Sequence, residues 1–260
     1  MANPLYGSNK LDNQLDAVAN GKKQVFRFAT PPAVVDYEHA TAQAIDGTAG
    51  DTTLHQYADG LSLTLYPIVA QTIDKPAAAT TGMDYGYEQD DDDGIEWRLS
   101  DNTCKGREGI DRFTVGKQAF SAELEMSIED VSGTDDCAFG FVKVEAHTVN
   151  AAARDEAATL NVISGTITIE TELNAGGQTV TSTTDAWADT EVHSLKVMVD
   201  TAGAVTYKID GVAPTTTAAF SFDAGEVVTP AFLLIQASDL SGAVVMRKLT
   251  IESDYGSLED

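Results

Sequence analysis

Basic residues are scarce in this 260-residue chain: Lys and Arg number 16 against 41 Asp and Glu, for a formal net charge of −25. A surface so acidic repels phosphates, which excludes DNA and RNA as partners and favours solubility and contact with cations. Long hydrophobic runs are missing as well. No stretch of 18 apolar residues occurs, and the opening Met-Ala-Asn-Pro-Leu-Tyr-Gly-Ser-Asn-Lys lacks the apolar segment of a secretion signal, so the expectation is a protein made in a cytoplasm with no membrane partner. Cysteine is almost absent. Cys104 and Cys137 lack Cys-x-x-Cys spacing, which argues against zinc, and in a reducing compartment they are expected to be ordinary thiols.

Catalytic signatures are equally thin. There is no Gly-x-Ser-x-Gly, and Gly116-Lys117 is followed by Gln118 where a phosphate-cradling loop needs Ser or Thr. His39, His55, His147 and His193 are scattered, without the i, i+4 spacing or adjacent acid of a metal site. The expectation is no enzyme and no cofactor.

What the chain does have is alternation. Leu195, Val197 and Val199 alternate with Ser194, Lys196 and Met198; a turn at Thr201–Gly203 leads to Val205, Tyr207 and Ile209, and Asp210-Gly211 follows. Two half-buried strands in a hairpin give this pattern. The same reading places strands at Val25–Phe28, Leu61–Tyr66, Ile95–Leu99, Phe120–Ile128, Ala138–Val144, Thr166–Glu172, Thr179–Thr183, Ala231–Gln236 and Val244–Ile251, separated by Gly, Asp, Asn and Pro. An all-β sandwich of two antiparallel sheets is expected, and at this length folding buries roughly 70–75% of the unfolded surface without a staple.

Two segments read as helix. Leu11, Leu15 and Val18 recur at i, i+4 and i+7 behind Asn9 and before Asn20-Gly21, and Arg154–Leu160 carries Ala157 and Ala158. Leu173–Gln178 is a hairpin loop, and 74–94 reads as one long surface loop. The division expected is an arm over 1–30 and a sandwich domain over 31–260.

Three features invite a chemical reading. Glu123 and Glu125 share one face of a strand, with Glu129 beyond them. Asp90–Asp93, and Asp130 with Asp135 and Asp136, offer oxygen ligands that suit calcium, although an Asx-stabilised turn explains the second group as well. Trp97 and Trp187, with Tyr85 and Tyr87, are large enough to stack on sugar rings, or to fill the core of a sandwich.

The stretch Asp185-Ala-Trp-Ala-Asp through Ile209-Asp-Gly211 resembles the concanavalin A-like or laminin-G-like jelly roll. Glu123-Leu-Glu125 resembles the Glu-x-Asp-x-x-Glu strand of laminarinase-type glycoside hydrolases, but Ile128 stands where the third acid belongs. Glu129 is one place late, on the opposite face. Gly109–Glu123, Asp130–Ala146, Ala188-Asp189 and Phe220–Pro230, together with the opening ten residues, resemble a group of virion proteins from tailed phages of aquatic bacteria. That resemblance implies a non-enzymatic capsid decoration, or cement, protein on the virion exterior, bound to the major capsid protein as a dimer or trimer. Its second implication is a head-fibre or tail adsorption protein that binds host-surface carbohydrate. The apolar side chains of the arm, Leu5, Tyr6, Leu11, Leu15 and Val18, are the candidate capsid contacts.

Overall fold

The computed structural model describes residues 23–28, 34–35, 53–57, 62–67, 77–86, 94–101, 106–146, 154–236 and 242–254. The helix expected over residues 9–20 and the five arm contacts lie outside these. The strands are β1 (Lys23–Arg27), β2 (Val34–Val35), β3 (Thr53–Tyr57), β4 (Ser62–Pro67), β5 (Ala77–Ala79), β6 (Gly82–Asp84), β7 (Gly94–Arg98), β8 (Phe113–Thr114) and β9 (Phe120–Ile128). There follow β10 (Thr134–Lys143), β11 (Ala157–Ile163), β12 (Thr166–Glu172), β13 (Thr179–Ala186), β14 (Val192–Val199), β15 (Val205–Ile209), β16 (Val227–Gln236) and β17 (Val244–Ser253).

Among the described residues these form two antiparallel sheets. The seven-stranded sheet runs β15-β14-β9-β17-β6-β5 with β1 added on β17, and the ten-stranded sheet runs β13-β12-β11-β10-β16-β7-β4-β3-β2 with β8 added on β16. Strands next to each other in space are often far apart in sequence, as β9 is between β14 and β17.

Alternation explains why these segments pair. Leu124, Met126 and Ile128 of β9 and Leu195, Val197 and Val199 of β14 face Trp97, Phe139, Leu160 and Phe232 of the other sheet in one continuous core. Trp97 stacks on Phe232 with centroids 5.9 Å apart, and its indole N–H donates to Met246 Sδ at 3.2 Å. Cys137 is a free thiol buried in this core. The β14–β15 hairpin turns at Asp200–Ala204, with Gly203 at positive φ (86°), and the chain turns again after β15 through positive φ at Asp210 (51°) and Gly211 (78°), which is why Asp-Gly stands there.

Two expectations fail. Residues 157–163 are a strand, not a helix: Ala158, Leu160 and Val162 point into the core, and pairing with β10 and β12 on both sides overrides the helix preference of alanine. The approach of β11 to β10 is close enough that a Cβ on Gly140 would lie 2.2 Å from the Ala158 carbonyl oxygen. The segment 74–94 is not one loop either, because β5 and β6 pair within it and β6 docks on β17.

Candidate functional site: a charged cleft across the ten-stranded sheet

Side chains that alternate with the core residues of the ten-stranded sheet point to its outer face, and the register aligns them in rows. One row runs Tyr66, Glu96, Leu233, Ala138, Asn161, Thr168; the next runs Thr64, Arg98, Ala231, Gly140, Thr159, Glu170. Their middle is uncharged and mostly small, with Leu233 the one large side chain, and their ends are polar. Thus Ala138, Ala157, Thr159 and Leu233 floor a cleft walled by Glu170, Glu172 and Gln178, with Arg154 alongside. Despite facing away from the core, Glu96, Arg98 and Asn161 are fully buried and Glu170 and Glu172 nearly so.

Glu96 organises one side. Its carboxylate accepts from Arg98 Nε at 2.8 Å and Arg98 Nη2 at 3.2 Å, and from Arg154 Nη2 at 2.9 Å. Burial works against the Arg98 charge, yet Glu96 holds the guanidinium above its ordinary value. Arg98 also lies over the Tyr66 ring, 5.8 Å from its centroid, while the Tyr66 hydroxyl donates to the buried Asp101. The result is a fixed polar rim that ties β4 and β7 to Arg154, three residues ahead of β11.

The other side is acidic. Asn161 accepts from the Cys137 N–H at 2.8 Å and turns its amide nitrogen to Asp136. Gln178 donates to Glu170 Oε2 at 2.6 Å. Burial pushes the Glu170 carboxyl up to about 7; Asp136 adds to the rise, and Asn161, Arg154 and Thr168 oppose it. Burial raises Asp136 and Glu172 as well, and Arg154 opposes the rise at both. Arg154 Nε, in a side chain only 5% exposed, has no hydrogen-bond partner. A donor and several acceptors line the same small cleft, and a hydroxyl group suits both, because it accepts and donates.

The residues singled out from sequence fall elsewhere. Glu123 and Glu125 lie on the outer face of the seven-stranded sheet, where Lys248 meets Glu125 at 2.7 Å and Lys196 lies 3.9 Å from Glu123, so this pair belongs to a lysine–glutamate lattice. Trp97, Trp187 and Tyr85 are core residues. Asp130 caps the short 3-10 helix Val131–Gly133, accepting from the Ser132 N–H at 3.0 Å, while Asp136 belongs to the cleft network. Asp90–Asp93 and Tyr87 lie outside the described residues. Among the described residues, no three His, Cys, Asp or Glu side chains cluster as metal ligands do. Glu96, Arg98, Arg154 and Glu170 were missed; the signal was charge alternating with Ile95 and Trp97, and with Ile167 and Ile169, which fits any half-exposed strand.

His193 does have acids beside it, contrary to the sequence reading. Its Nδ1 lies 2.6 Å from Asp210 Oδ2 and its Nε2 lies 3.0 Å from Glu191 Oε2, with the Trp187 ring 4.6 Å away. Glu191 is two residues away in the chain, while Asp210 arrives through the β14–β15 pairing, a proximity that linear spacing hides. Only the imidazolium donates to both carboxylates. Burial opposes that charge, but Asp210 and Glu191 raise the histidine pKa. A group raised on folding adds stability that is complete below its unfolded value and is lost as pH climbs through the folded one. His193→Phe is therefore expected to lower Tm by about 3 °C more at pH 6 than at pH 8.5, measured by calorimetry; an equal loss at both would show that packing alone matters.

No protein-family model matches the chain, and no curated protein does. Solved structures resemble it in fold. The carbohydrate recognition domain of Emp47p superposes with a TM-score of 0.50 at 14% identity, over 69% of this chain and 86% of that one. Lectin II from Ulex europaeus gives 0.48 at 10% identity, over 79% and 99%. A carbohydrate-binding module from Bacillus subtilis gives 0.44 at 13%, over 72% and 94%. The two-sheet sandwich expected from the alternation is a jelly roll of the concanavalin A-like, lectin-like type.

Proposed function

We propose that the protein is a non-enzymatic carbohydrate-binding module whose ligand occupies the cleft on the ten-stranded sheet. The observation that carries the reading is the donor left without a partner at Arg154, in a cleft that Glu170, Glu172 and Gln178 also line, over an uncharged floor. The lectin-like fold, shared with the carbohydrate recognition domain of Emp47p, supports it as analogy. Glu123 and Glu125, the pair closest in pattern to a hydrolase strand, are engaged by lysines.

The resemblance of Gly109–Glu123 and Asp130–Ala146 to phage virion proteins favours a place for this module on a virion, as a head-fibre or tail adsorption protein that reads host-surface carbohydrate. Decoration of the outer capsid face, bridging major capsid protein subunits, is the second reading, favoured by the same stretches and by a net charge of −25 that keeps the protein away from packaged DNA. Copy number in purified virions separates them: decoration demands about as many copies as lattice positions, adsorption only a few.

The binding reading is tested on an array of immobilised glycans followed by calorimetric titration of the best oligosaccharide. Glu170→Ala is expected to weaken binding at least tenfold, the loss of one hydrogen bond to a charged group at about 1.5–3 kcal/mol. The protein is expected to release no reducing sugar from the same glycans. Binding that survives Glu170→Ala and is lost in Glu123→Gln/Glu125→Gln would move the site to the other sheet.

A further inference from the structure

Resting on the glycan-binding reading above, we infer that the cleft takes uncharged or amino-bearing sugars and excludes anionic ones such as uronates, sialates and sulfated chains, with Glu170 as the residue that sets this preference.

Negative charge outnumbers positive at the cleft. Among the described residues that line it, Arg154 carries the one positive charge and Glu170 and Glu172 carry two negative ones. Asp136 stands behind them, joined to the wall through Asn161. Arg154 has no surplus to offer an incoming anion, since its Nη2 is already turned to Glu96 at 2.9 Å and its field is shared with Asp136, Glu170 and Glu172. Arg98 is likewise held by both oxygens of Glu96.

What Arg154 does offer is the Nε N–H, in a side chain only 5% exposed and with no partner of its own. A buried donor so placed calls for an acceptor from the ligand. A hydroxyl fills the role at no electrostatic cost: it accepts from Arg154 and donates its own proton to a carboxylate of the wall. An ammonium group lies well against the same carboxylates. A carboxylate or sulfate would accept from Arg154 but meet Glu170 and Glu172 at short range in a site of lowered dielectric, where like charges repel strongly. Glu170 is the wall carboxylate fixed in place, by the Gln178 amide at 2.6 Å, and it is nearly fully buried, where Asp136 adds to the penalty on its charge.

The experiment titrates the protein at pH 8 with hexasaccharides of three charge types: neutral β-1,3-glucan, mannan and chitin; cationic chitosan; and anionic hyaluronan and polygalacturonate. At least one neutral or cationic hexamer is expected to bind, and both anionic ones at least tenfold more weakly, a difference of about 1.4 kcal/mol. Glu170→Gln keeps the shape and removes the charge, and is expected to narrow the gap between anionic and neutral hexamers at least fivefold. Glu172→Gln serves as the second variant and is expected to narrow it in the same direction. Anionic hexamers binding as tightly as neutral ones would overturn the charge rule while leaving the glycan reading in place, and an unchanged gap in both variants would remove Glu170 from its role. Failure of every hexamer to bind would sink the glycan reading and this inference with it.

Discussion

Glu96→Ala is expected to lower Tm by roughly 6–20 °C, the largest effect of any single charged residue in the described structure. Glu96 and Arg98 are fully buried and Arg154 is 5% exposed, so removing the carboxylate strands two guanidiniums out of water. Arginine does not escape by losing its proton. Breaking a buried ion pair from one side costs about 3–5 kcal/mol, and in a domain of this size each kcal/mol moves Tm by about 2–4 °C. The control is a surface pair of similar length: Glu125→Gln breaks the 2.7 Å contact with Lys248 on the half-exposed outer face of the other sheet and is expected to cost at most about 1 kcal/mol. A double-mutant cycle of Glu96→Gln and Arg98→Met isolates the coupling, which should exceed that of Glu125 with Lys248 several-fold. Equal melting losses for Glu96→Ala and Glu125→Gln would show that Glu96 is hydrated after all.

The strands were legible because alternation with period two is a local signal, and the core residues it selects, Leu124, Leu195, Val197 and Tyr207 among them, do face inward. Turn chemistry was legible for the same reason: Asp210-Gly211 needs positive φ and has it. Where local and non-local forces disagree, the reading fails. Ala157-Ala158 favours helix in isolation, but β11 sits between β10 and β12, and its backbone is satisfied by pairing on both sides. The cleft was illegible because it is written in the register. Nothing in the sequence indicates that Ala138 lies beside Leu233 and Asn161, or that Arg154 reaches a glutamate 58 residues earlier. The jelly-roll crossings bring these together, and those crossings depend on which strands pair rather than on what each strand is. Glu123 and Glu125 drew attention through spacing alone, and spacing does not say which of two sheets a strand joins.

Stability is expected to rise as pH falls from 8 to about 5, against the usual expectation that acid weakens a carboxylate-rich protein. Glu170 is the main cause, since burial pushes its folded pKa up to about 7 from the ordinary glutamate value of 4.5. A carboxyl raised on folding contributes stability that is complete below its unfolded pKa and is lost as pH rises through the folded one, so the window runs from about 4.5 to 7. Each tenfold change in proton affinity is worth about 1.36 kcal/mol, so the gain on acidification is on the order of 3 kcal/mol. Two further groups act in the same sense: Glu156, wholly buried and raised to about 6 by that burial, and His193, whose raised pKa favours its doubly paired form on the acid side. Relief of repulsion within a chain of net charge −25 adds to them. The opposing groups lie lower. Glu252 is subject to a burial penalty, but Lys196 and Lys23 bring its pKa below the ordinary value, so its contribution is lost only as pH falls below about 4.5. The maximum should therefore sit near pH 5, with Tm about 6–12 °C above its value at pH 8. Glu170→Gln should raise Tm at pH 8 and flatten the rise between pH 8 and 5 by about half or more, read by calorimetry at constant ionic strength. A Tm that falls steadily from pH 8 to 5 in the wild-type protein would show that Glu170 ionises in the folded state at an ordinary carboxylate pKa, and that water reaches the cleft wall.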